Sequence, residues 1–215
     1  MLKENYFKVN NKKNLTLPRH HLGRREIDTL KILCSIIDYD IPKDDALFID
    51  LGCGDQHLAD AVIEQGWQYS GLDIDTLNFE TDVLPLKDDS VDFAVSLAVI
   101  EHLTNPSIFL NEIRRVLKSG GLIYLSTPNF QLDFKNFYND PTHVKPYTPY
   151  SLEMLLSIHE FTNVQTFPGL RCKPKWFYSG KYRFLKAKYF FPFKGDSKIP
   201  LPFLKGRATS IFQLL

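Results

Sequence analysis

The sequence feature that most constrains the fold is a short apolar segment that runs directly into a glycine turn. Residues 46–51 are apolar except for Asp50, and Gly52-Cys53-Gly54 follows at once. An apolar run of this length predicts a buried β-strand, and the glycines let the backbone turn sharply and approach a ligand. The segment therefore predicts the first strand and the first ligand-binding loop of an open α/β sheet.

An acidic residue further along the chain strengthens this interpretation. Asp73 ends the next apolar segment, residues 68–72, and lies 23 residues after Asp50. A carboxylate at the end of a second parallel strand can accept hydrogen bonds from both hydroxyls of a ribose. The first strand, the glycine turn and the aspartate that ends the second strand together predict a nucleoside-binding site. The alternative is a pair of glycines in an ordinary turn and a solvated aspartate.

The rest of the chain alternates between strand-like and helix-like apolar patterns. Further strands are predicted at residues 93–97, 122–126 and 162–167, and helices at 25–40, 58–65, 105–117 and 151–158. Residues 208–214 are apolar enough to form a last, antiparallel strand beside 162–167. Strands that alternate with helices predict an α/β fold with a doubly wound, Rossmann-like and mostly parallel sheet.

The glycine motif also limits the kind of nucleoside. Dinucleotide-binding proteins have a third glycine where this chain has His57, so the motif is GxGxxH. Asp50 would repel a pyrophosphate, whereas it can pair with an ammonium group. An amino acid joined to adenosine fits these residues better than a dinucleotide does.

Four motifs in succession resemble the class I S-adenosylmethionine-dependent methyltransferases. They are FIDLGCGDQ, YSGLDID, TDVLPLKDDSVDFAVSLAVIEHL and NPSIFLNEIRRVLKSGGLIYLSTPN, and the resemblance covers residues 45–167. It implies S-adenosylmethionine as the cofactor. The residues implied for the methionine moiety are Asp50, Gly52 and Gly54, those for the ribose and adenine are Asp73, Asp82 and Val83, those near the transferred methyl group are Leu97 and Ala98, and Ile74 and His102 complete the cofactor-binding set.

One departure from the family pattern narrows the resemblance. Asp73 and Asp82 are nine residues apart, which leaves room for a loop but not for the usual helix. Together with EHL and DPTHVKPYTPYSLEML, this layout resembles small methyltransferases associated with genes for bacterial surface polysaccharides and other glycoconjugates. The implied activity is O-methylation of a small-molecule, saccharide or lipid-linked acceptor. The alternatives are an RNA methyltransferase and an S-adenosylmethionine-binding partner subunit without catalytic activity.

Candidate catalytic residues follow the predicted strand at 122–126. Methyl transfer to a hydroxyl group needs an oriented acceptor and a base. His143 is the candidate base, with Asp140 beside it, and Tyr138 and Tyr147 are candidates for lining the acceptor pocket. The alternative is that His143 only pins the proline-rich loop by hydrogen bonds. Asp140 and His143 have no third ligand close in sequence, so no metal site is predicted.

The charge distribution divides the chain into two unlike parts. Residues 1–170 hold 15 Lys and Arg against 24 Asp and Glu, whereas residues 171–215 hold 11 against Asp196 alone and contain 11 aromatic residues. A basic, aromatic segment suits an anionic membrane surface or a phosphorylated glycolipid, and with weaker support nucleic acid. The alternative is a solvated basic face that covers the acidic body.

The predicted organisation is an arm and helix at residues 1–44, a methyltransferase core at 45–167 and a basic extension at 168–215. No apolar run is long enough to cross a bilayer, and the N-terminus lacks the apolar stretch of a signal peptide. These features predict a cytoplasmic protein that can contact the inner face of the membrane. Three cysteines are too few for a disulfide framework or a zinc site, and the oligomeric state is left open.

Overall fold

The structure is a computed structural model that describes residues 19–167 and 210–214. The elements occur in the order α1 Arg19–Ile36, β1 Leu47–Leu51, α2 Ala59–Ile63, β2 Gln68–Leu72, β3 Val91–Leu97, α3 Ser107–Val116, β4 Leu117–Ser126, α4 Phe130–Asp133, α5 Pro149–Ile158, β5 Gln165–Phe167 and β6 Ser210–Leu214. Two short 3₁₀ helices, Ile100–His102 and Phe137–Asn139, lie in loops. Most of the basic extension lies outside the described residues, so its predicted membrane, glycolipid or nucleic-acid contacts stay predictions.

The sheet has six strands in the order β2-β1-β3-β4-β6-β5. The pairs β1–β2, β1–β3 and β3–β4 are parallel, whereas β6 is antiparallel to β4 and β5. The predicted mostly parallel sheet and the antiparallel last strand are confirmed. The chain between β2 and β3 forms turns and loops without a helix, as the short spacing of Asp73 and Asp82 predicts.

Helices cover both faces of the sheet. One buried cluster joins Leu30 of α1 and Val62 of α2 to Phe93 of β3. The other joins Ile113 of α3 and Leu152 of α5 to Ala94 of β3. Successive side chains of a strand point to opposite faces, so β3 contributes to both clusters. The doubly wound arrangement therefore buries the central strand on both sides, which explains its almost continuous apolar sequence.

The first helix begins and ends earlier than its apolar periodicity predicts. It spans Arg19–Ile36 rather than residues 25–40. Asp38 has a φ of +54°, which a continuing right-handed helix cannot contain. The N–H of Tyr39 donates to the carbonyl of Cys34 (2.9 Å) and closes the last turn. The apolar pattern beyond Ile36 belongs to a loop that packs against the same core cluster.

The carboxyl ends of the parallel strands lie at one edge of the sheet, where open α/β proteins bind ligands. The N–H of Gly52 donates to the carbonyl of Leu72 (2.8 Å), which joins the ends of β1 and β2. The N–H of Ala98 donates to the carbonyl of Ser126 (2.8 Å), which joins the ends of β3 and β4. Among the described residues, no helix has the length and apolar content needed to span a bilayer.

Candidate active site

The turn after β1 depends on its glycines. Gly52 has a φ of +83° and Gly54 a φ of +52°, both in the left-handed region. A Cβ atom on Gly52 would lie 2.2 Å from Cγ2 of Val99, so the loop after β3 packs directly on the backbone of the turn. The turn thus exposes main-chain atoms at the carboxyl edge, as a ligand-binding loop requires.

Asp73 follows β2 and holds its carboxylate against this turn. Its Oδ2 accepts a hydrogen bond from the N–H of Gly54 (2.7 Å), and its Oδ1 accepts one from the N–H of Ile74 (2.5 Å). The two bonds fix the orientation of the carboxylate. Because a carboxylate oxygen can accept two hydrogen bonds, Asp73 also has the acceptor capacity to bind the hydroxyls of a ribose.

Asp50 is almost completely buried in β1, at 2% exposure. The hydroxyl of Tyr69 on the neighbouring strand donates to Oδ2 of Asp50 (3.0 Å). Burial raises the pKa of Asp50 to about 6, while the Tyr69 bond and the charge of His57 offset part of the rise. Gly71 makes room for this contact, since a Cβ atom there would lie 2.9 Å from the Tyr69 hydroxyl oxygen. A positively charged ligand group would relieve the cost of ionising Asp50 in this position.

The loop after β2 presents aliphatic side chains to solvent. Ile74 and Val83 are 56% and 67% exposed. Asp82 is bonded within the loop: its Oδ2 accepts from the N–H of Asn78 (2.8 Å) and its Oδ1 from the hydroxyl of Thr81 (2.8 Å). These bonds lower the pKa of Asp82 and keep it ionised. The loop therefore combines exposed apolar surface with an oriented carboxylate, which suits a flat, polar-edged heterocycle.

The chain leaves β3 through an unusual turn. Leu97 is half-buried, and Ala98 adopts a φ of +57°, which is unfavourable for a residue that carries a Cβ atom. The 3₁₀ helix Ile100–His102 follows this turn directly. The turn thus places Glu101 and His102 at the carboxyl edge.

A buried glutamate and two histidines meet at this edge. One ligand atom each of Glu101, His102 and His143 lies within 4.8 Å of the other two. The two imidazole rings are in edge contact, with centroids 4.9 Å apart. Oε2 of Glu101 accepts a hydrogen bond from the hydroxyl of Thr127 (3.0 Å), which follows β4. Burial raises the pKa of Glu101 to about 7.

The backbone fixes the proton of each imidazole. Nδ1 of His143 lies 2.7 Å from the carbonyl oxygen of Phe137, and Nδ1 of His102 lies 3.1 Å from the carbonyl oxygen of Thr142. A carbonyl oxygen only accepts, so each Nδ1 donates its proton. In each neutral ring, Nε2 is then the atom that can bind a proton or a cation. Burial lowers the pKa of His102, which favours its neutral form.

Asp140 is connected to His102 through Thr142. Oδ1 of Asp140 accepts from both the N–H (3.0 Å) and the hydroxyl (2.6 Å) of Thr142. Oγ1 of Thr142 in turn lies 2.9 Å from Nδ1 of His102 and accepts a hydrogen bond from the same N–H that donates to the Thr142 carbonyl. Asp140 therefore orients His102 through Thr142. Its catalytic pairing with His143 stays a prediction.

The two candidate tyrosines lie in different environments. Tyr138 is 59% exposed and packs edge-on against Phe137, with ring centroids 5.0 Å apart. Tyr147 is buried in the core, and its hydroxyl has no hydrogen-bond partner among the described residues. Burial and the charge of Glu101 raise the pKa of Tyr147. Only Tyr138 is therefore placed at the surface beside the histidine loop.

Comparison with known proteins places this chain in a family. Residues 20–166 match the family model of a methyltransferase domain. The chain belongs to this methyltransferase family. The match spans more than half of the chain, and it confirms the family predicted from the four sequence motifs.

Curated relatives match the methyltransferase domain over part of their length. A probable S-adenosylmethionine-dependent methyltransferase from Mycolicibacterium smegmatis is 35% identical over a match that covers 38% of this chain and 37% of that protein. A ubiquinone biosynthesis O-methyltransferase from Cereibacter sphaeroides is 27% identical, and the match covers 41% of this chain and 44% of that protein. The chain thus spans less than half the length of these relatives.

Solved structures share the fold of the methyltransferase domain. A SAM-dependent methyltransferase from Archaeoglobus fulgidus superposes with a TM-score of 0.57 at 20% identity, covering 89% of this chain and 94% of that chain. Phosphoethanolamine N-methyltransferase 2 from Haemonchus contortus, solved with S-adenosylhomocysteine, superposes with a TM-score of 0.56 at 16% identity, covering 86% of this chain and 51% of that chain. These likenesses confirm the predicted class I fold.

In the methyltransferase domain the predicted cofactor residues lie at the carboxyl ends of three strands and in the segments that follow them. They are Asp50, Gly52 and Gly54 at the end of β1, Asp73, Ile74, Asp82 and Val83 after β2, and Leu97, Ala98 and His102 at the end of β3. Reasoning from sequence missed Tyr69, the hydrogen-bond donor to Asp50. The signal for Tyr69 was the alternation Tyr69-Ser70-Gly71, which puts the phenol of Tyr69 and a residue without a side chain on the same face of a strand. Reasoning from sequence also assigned no role to Glu101; its signal is a carboxylate beside His102 in the segment that follows a buried strand.

Proposed function

We propose that this domain transfers a methyl group from S-adenosylmethionine to a hydroxyl oxygen of a small-molecule, saccharide or lipid-linked acceptor. The main support for the proposal is the position of the His143 imidazole. Its Nδ1 donates a hydrogen bond to the Phe137 carbonyl, and the ring belongs to the cluster at the carboxyl edge. The similarity to a ubiquinone biosynthesis O-methyltransferase supports oxygen as the acceptor atom.

The residues around the glycine turn fit this cofactor. When bound, S-adenosylmethionine supplies a methyl group on a positively charged sulfur. An oxygen nucleophile attacks the methyl carbon in line and displaces the sulfur. The buried carboxylate of Asp50 suits the ammonium group of the methionine moiety. Asp73 suits the ribose hydroxyls, and the exposed side chains of Ile74 and Val83 suit the adenine face.

His143 accepts the proton of the acceptor hydroxyl at Nε2. The carbonyl of Phe137 stabilises the resulting imidazolium, because it accepts a hydrogen bond from the Nδ1 proton in both states. The ring of Phe137 packs on the imidazole with centroids 4.6 Å apart and limits its rotation. Asp140 and Thr142 hold His102 beside this base.

The cofactor part of the proposal is tested by calorimetry with S-adenosylhomocysteine. We expect the wild type to bind it and Asp73→Ala to bind at least about tenfold more weakly, because two hydroxyl hydrogen bonds are lost. Asp75→Ala, a change of an exposed aspartate on the same loop, is the matched control and keeps the wild-type affinity. An Asp73→Ala variant that binds like the wild type would contradict the assignment.

The acceptor part is tested with isotopically labelled cofactor and cell extract, followed by mass spectrometry of the methylated products. We expect a labelled methyl ether, and His143→Ala to lower turnover by about 100-fold with unchanged cofactor affinity. His159→Ala is the control, since its ring bonds to Asn111 on the surface of α3. Label on nitrogen would refute oxygen as the acceptor atom, and label on RNA would refute the proposed acceptor class. Wild-type turnover by His143→Ala would refute its role as the base.

A further inference from the structure

Glu101 is a buried acidic group whose hydrogen bonding is incomplete. Its residue exposure is 0%, and Oε2 of its carboxylate accepts a hydrogen bond from the hydroxyl of Thr127. Oε1 is buried without any hydrogen-bond partner among the described residues. The neighbouring charge that acts on Glu101 is the carboxylate of Asp140, which has the same sign. An ionised carboxylate in such a position needs a nearby cation.

The two histidines beside Glu101 are oriented as metal ligands are. In proteins, an imidazole that binds a metal usually donates its other N–H to a carbonyl or carboxylate, which fixes the tautomer and the ring orientation. His143 donates from Nδ1 to Phe137, and His102 donates from Nδ1 to Thr142. A neutral ring held in this way presents Nε2 as the atom that can bind a metal ion.

The two loops that carry these residues are tied together. The carbonyl of Glu101 accepts hydrogen bonds from the N–H groups of Val144 (2.9 Å) and Lys145 (3.0 Å). These bonds hold the loop after β4 against the 3₁₀ helix after β3 and keep the His102 and His143 rings in contact. The backbone thus brings the three side chains together.

We propose that Glu101, His102 and His143 bind a divalent transition-metal ion, with Zn²⁺ and Mn²⁺ as representatives. Two imidazole nitrogens and one carboxylate oxygen are ligands that these ions share, and three protein ligands leave positions open for an external oxygen. Bonds of about 2.1 Å put tetrahedral ligand atoms about 3.4 Å apart. One candidate ligand atom of each side chain lies within 4.8 Å of the other two, so the cluster is compact enough for side-chain movement to close it around an ion.

The chemical purpose of the ion rests on the proposed function. An acceptor hydroxyl that binds at an open position becomes more acidic and releases its proton to solvent. Its oxygen then forms a bond to the methyl carbon while the carbon–sulfur bond breaks and the electron pair stays on sulfur. With the ion bound, Nε2 of His143 is a metal ligand and no longer the base that takes the proton, so His143 then acts on the hydroxyl through the metal.

The test is metal binding by the full chain after removal of ions with a chelator. Calorimetry with Zn²⁺ and electron paramagnetic resonance with Mn²⁺ should each show a saturable site. Glu101→Gln and His143→Ala should remove one equivalent of Zn²⁺ binding or weaken it by at least about 100-fold, because each loses a direct ligand. Glu101→Gln keeps the side-chain shape and an oxygen for Thr127, and His159→Ala is the control that should bind as the wild type does.

Binding of S-adenosylhomocysteine, measured on the same samples, shows whether each variant is folded and separates the two proposals. Metal binding without cofactor binding would leave the metal site standing and refute the proposed function. Cofactor binding without a saturable metal site in the wild type would refute the metal site and leave the proposed function standing. Equal Zn²⁺ binding by the wild type and by folded Glu101→Gln would overturn the site.

Discussion

Replacing Glu101 by glutamine should make the stability of this protein less dependent on pH. Burial raises the pKa of Glu101 from 4.5 to about 7 in the folded chain. Between these two values the unfolded chain has released a proton that the folded chain keeps. Folding stability therefore falls as pH rises from about 5 to about 8, because the unfolded state binds fewer protons.

The magnitude follows from the size of the shift. One pKa unit corresponds to about 1.4 kcal/mol, so the shift of Glu101 costs the wild type about 2–3 kcal/mol between pH 5 and pH 8. Glutamine cannot ionise and carries no such cost. Its buried amide adds a desolvation penalty that does not depend on pH. The difference in stability between the two proteins should therefore change by about 2–3 kcal/mol over this range, in favour of the variant at pH 8.

The assay is urea unfolding of both proteins at pH 5, 6.5 and 8 with a chelator present. Asp50, whose pKa is also raised, is present in both proteins and cancels in the comparison. Addition of Zn²⁺ at pH 8 should stabilise the wild type more than the variant, because an ion that binds only the folded state shifts the equilibrium. A stability difference that is the same at pH 5 and pH 8 would show that the folded chain does not raise the pKa of Glu101.

Two further predictions concern the glycine turn and the loop before β3. Gly52→Ala should lower the free energy of unfolding in urea by about 2–4 kcal/mol, because Gly52 has a positive φ and the added Cβ atom would lie 2.2 Å from Val99. A second change, Val99→Ala, should recover part of this loss. No recovery would exclude the contact with Val99 as the cause. Arg115→Lys should lower the free energy of unfolding by about 1–3 kcal/mol, since the guanidinium of Arg115 donates hydrogen bonds to both the carbonyl of Leu84 and the carboxylate of Glu112. Arg114→Lys, on an exposed ion pair, should cost less than about 1 kcal/mol, and equal losses would contradict this account.

The part of the site around the cofactor could be predicted because its signals are contiguous in sequence. Asp50, Gly52 and Gly54 follow one another on a strand and its turn, and Asp73 ends the next strand. Hydrophobic periodicity locates both strands, and parallel neighbours end at the same edge. Predicting that these residues come together therefore required no knowledge of distant contacts.

The Glu101–His102–His143 cluster could not be predicted in the same way. His143 reaches the other two residues because β3 and β4 are neighbours and because the Glu101 carbonyl binds the N–H groups of Val144 and Lys145. No local pattern encodes that meeting. The sequence indicated Asp140 and His143 as candidate catalytic residues. The structure adds Glu101 beside His143 and shows that Asp140 also contacts His102 through Thr142.

Residue types alone predicted the fold class, the order of the strands along the chain, the glycine turn and the shortened loop after β2, because each depends on residues within a few positions of one another. Which polar groups are buried, and what they contact, depends instead on how distant parts of the chain pack together. Asp50 and Glu101 are both acidic residues near strand ends, yet Asp50 receives the hydroxyl of Tyr69, whereas Glu101 keeps an oxygen with no partner among the described residues. Burial and partner geometry are properties of the packed chain, and they set the charge and the ligand-binding capacity of each group.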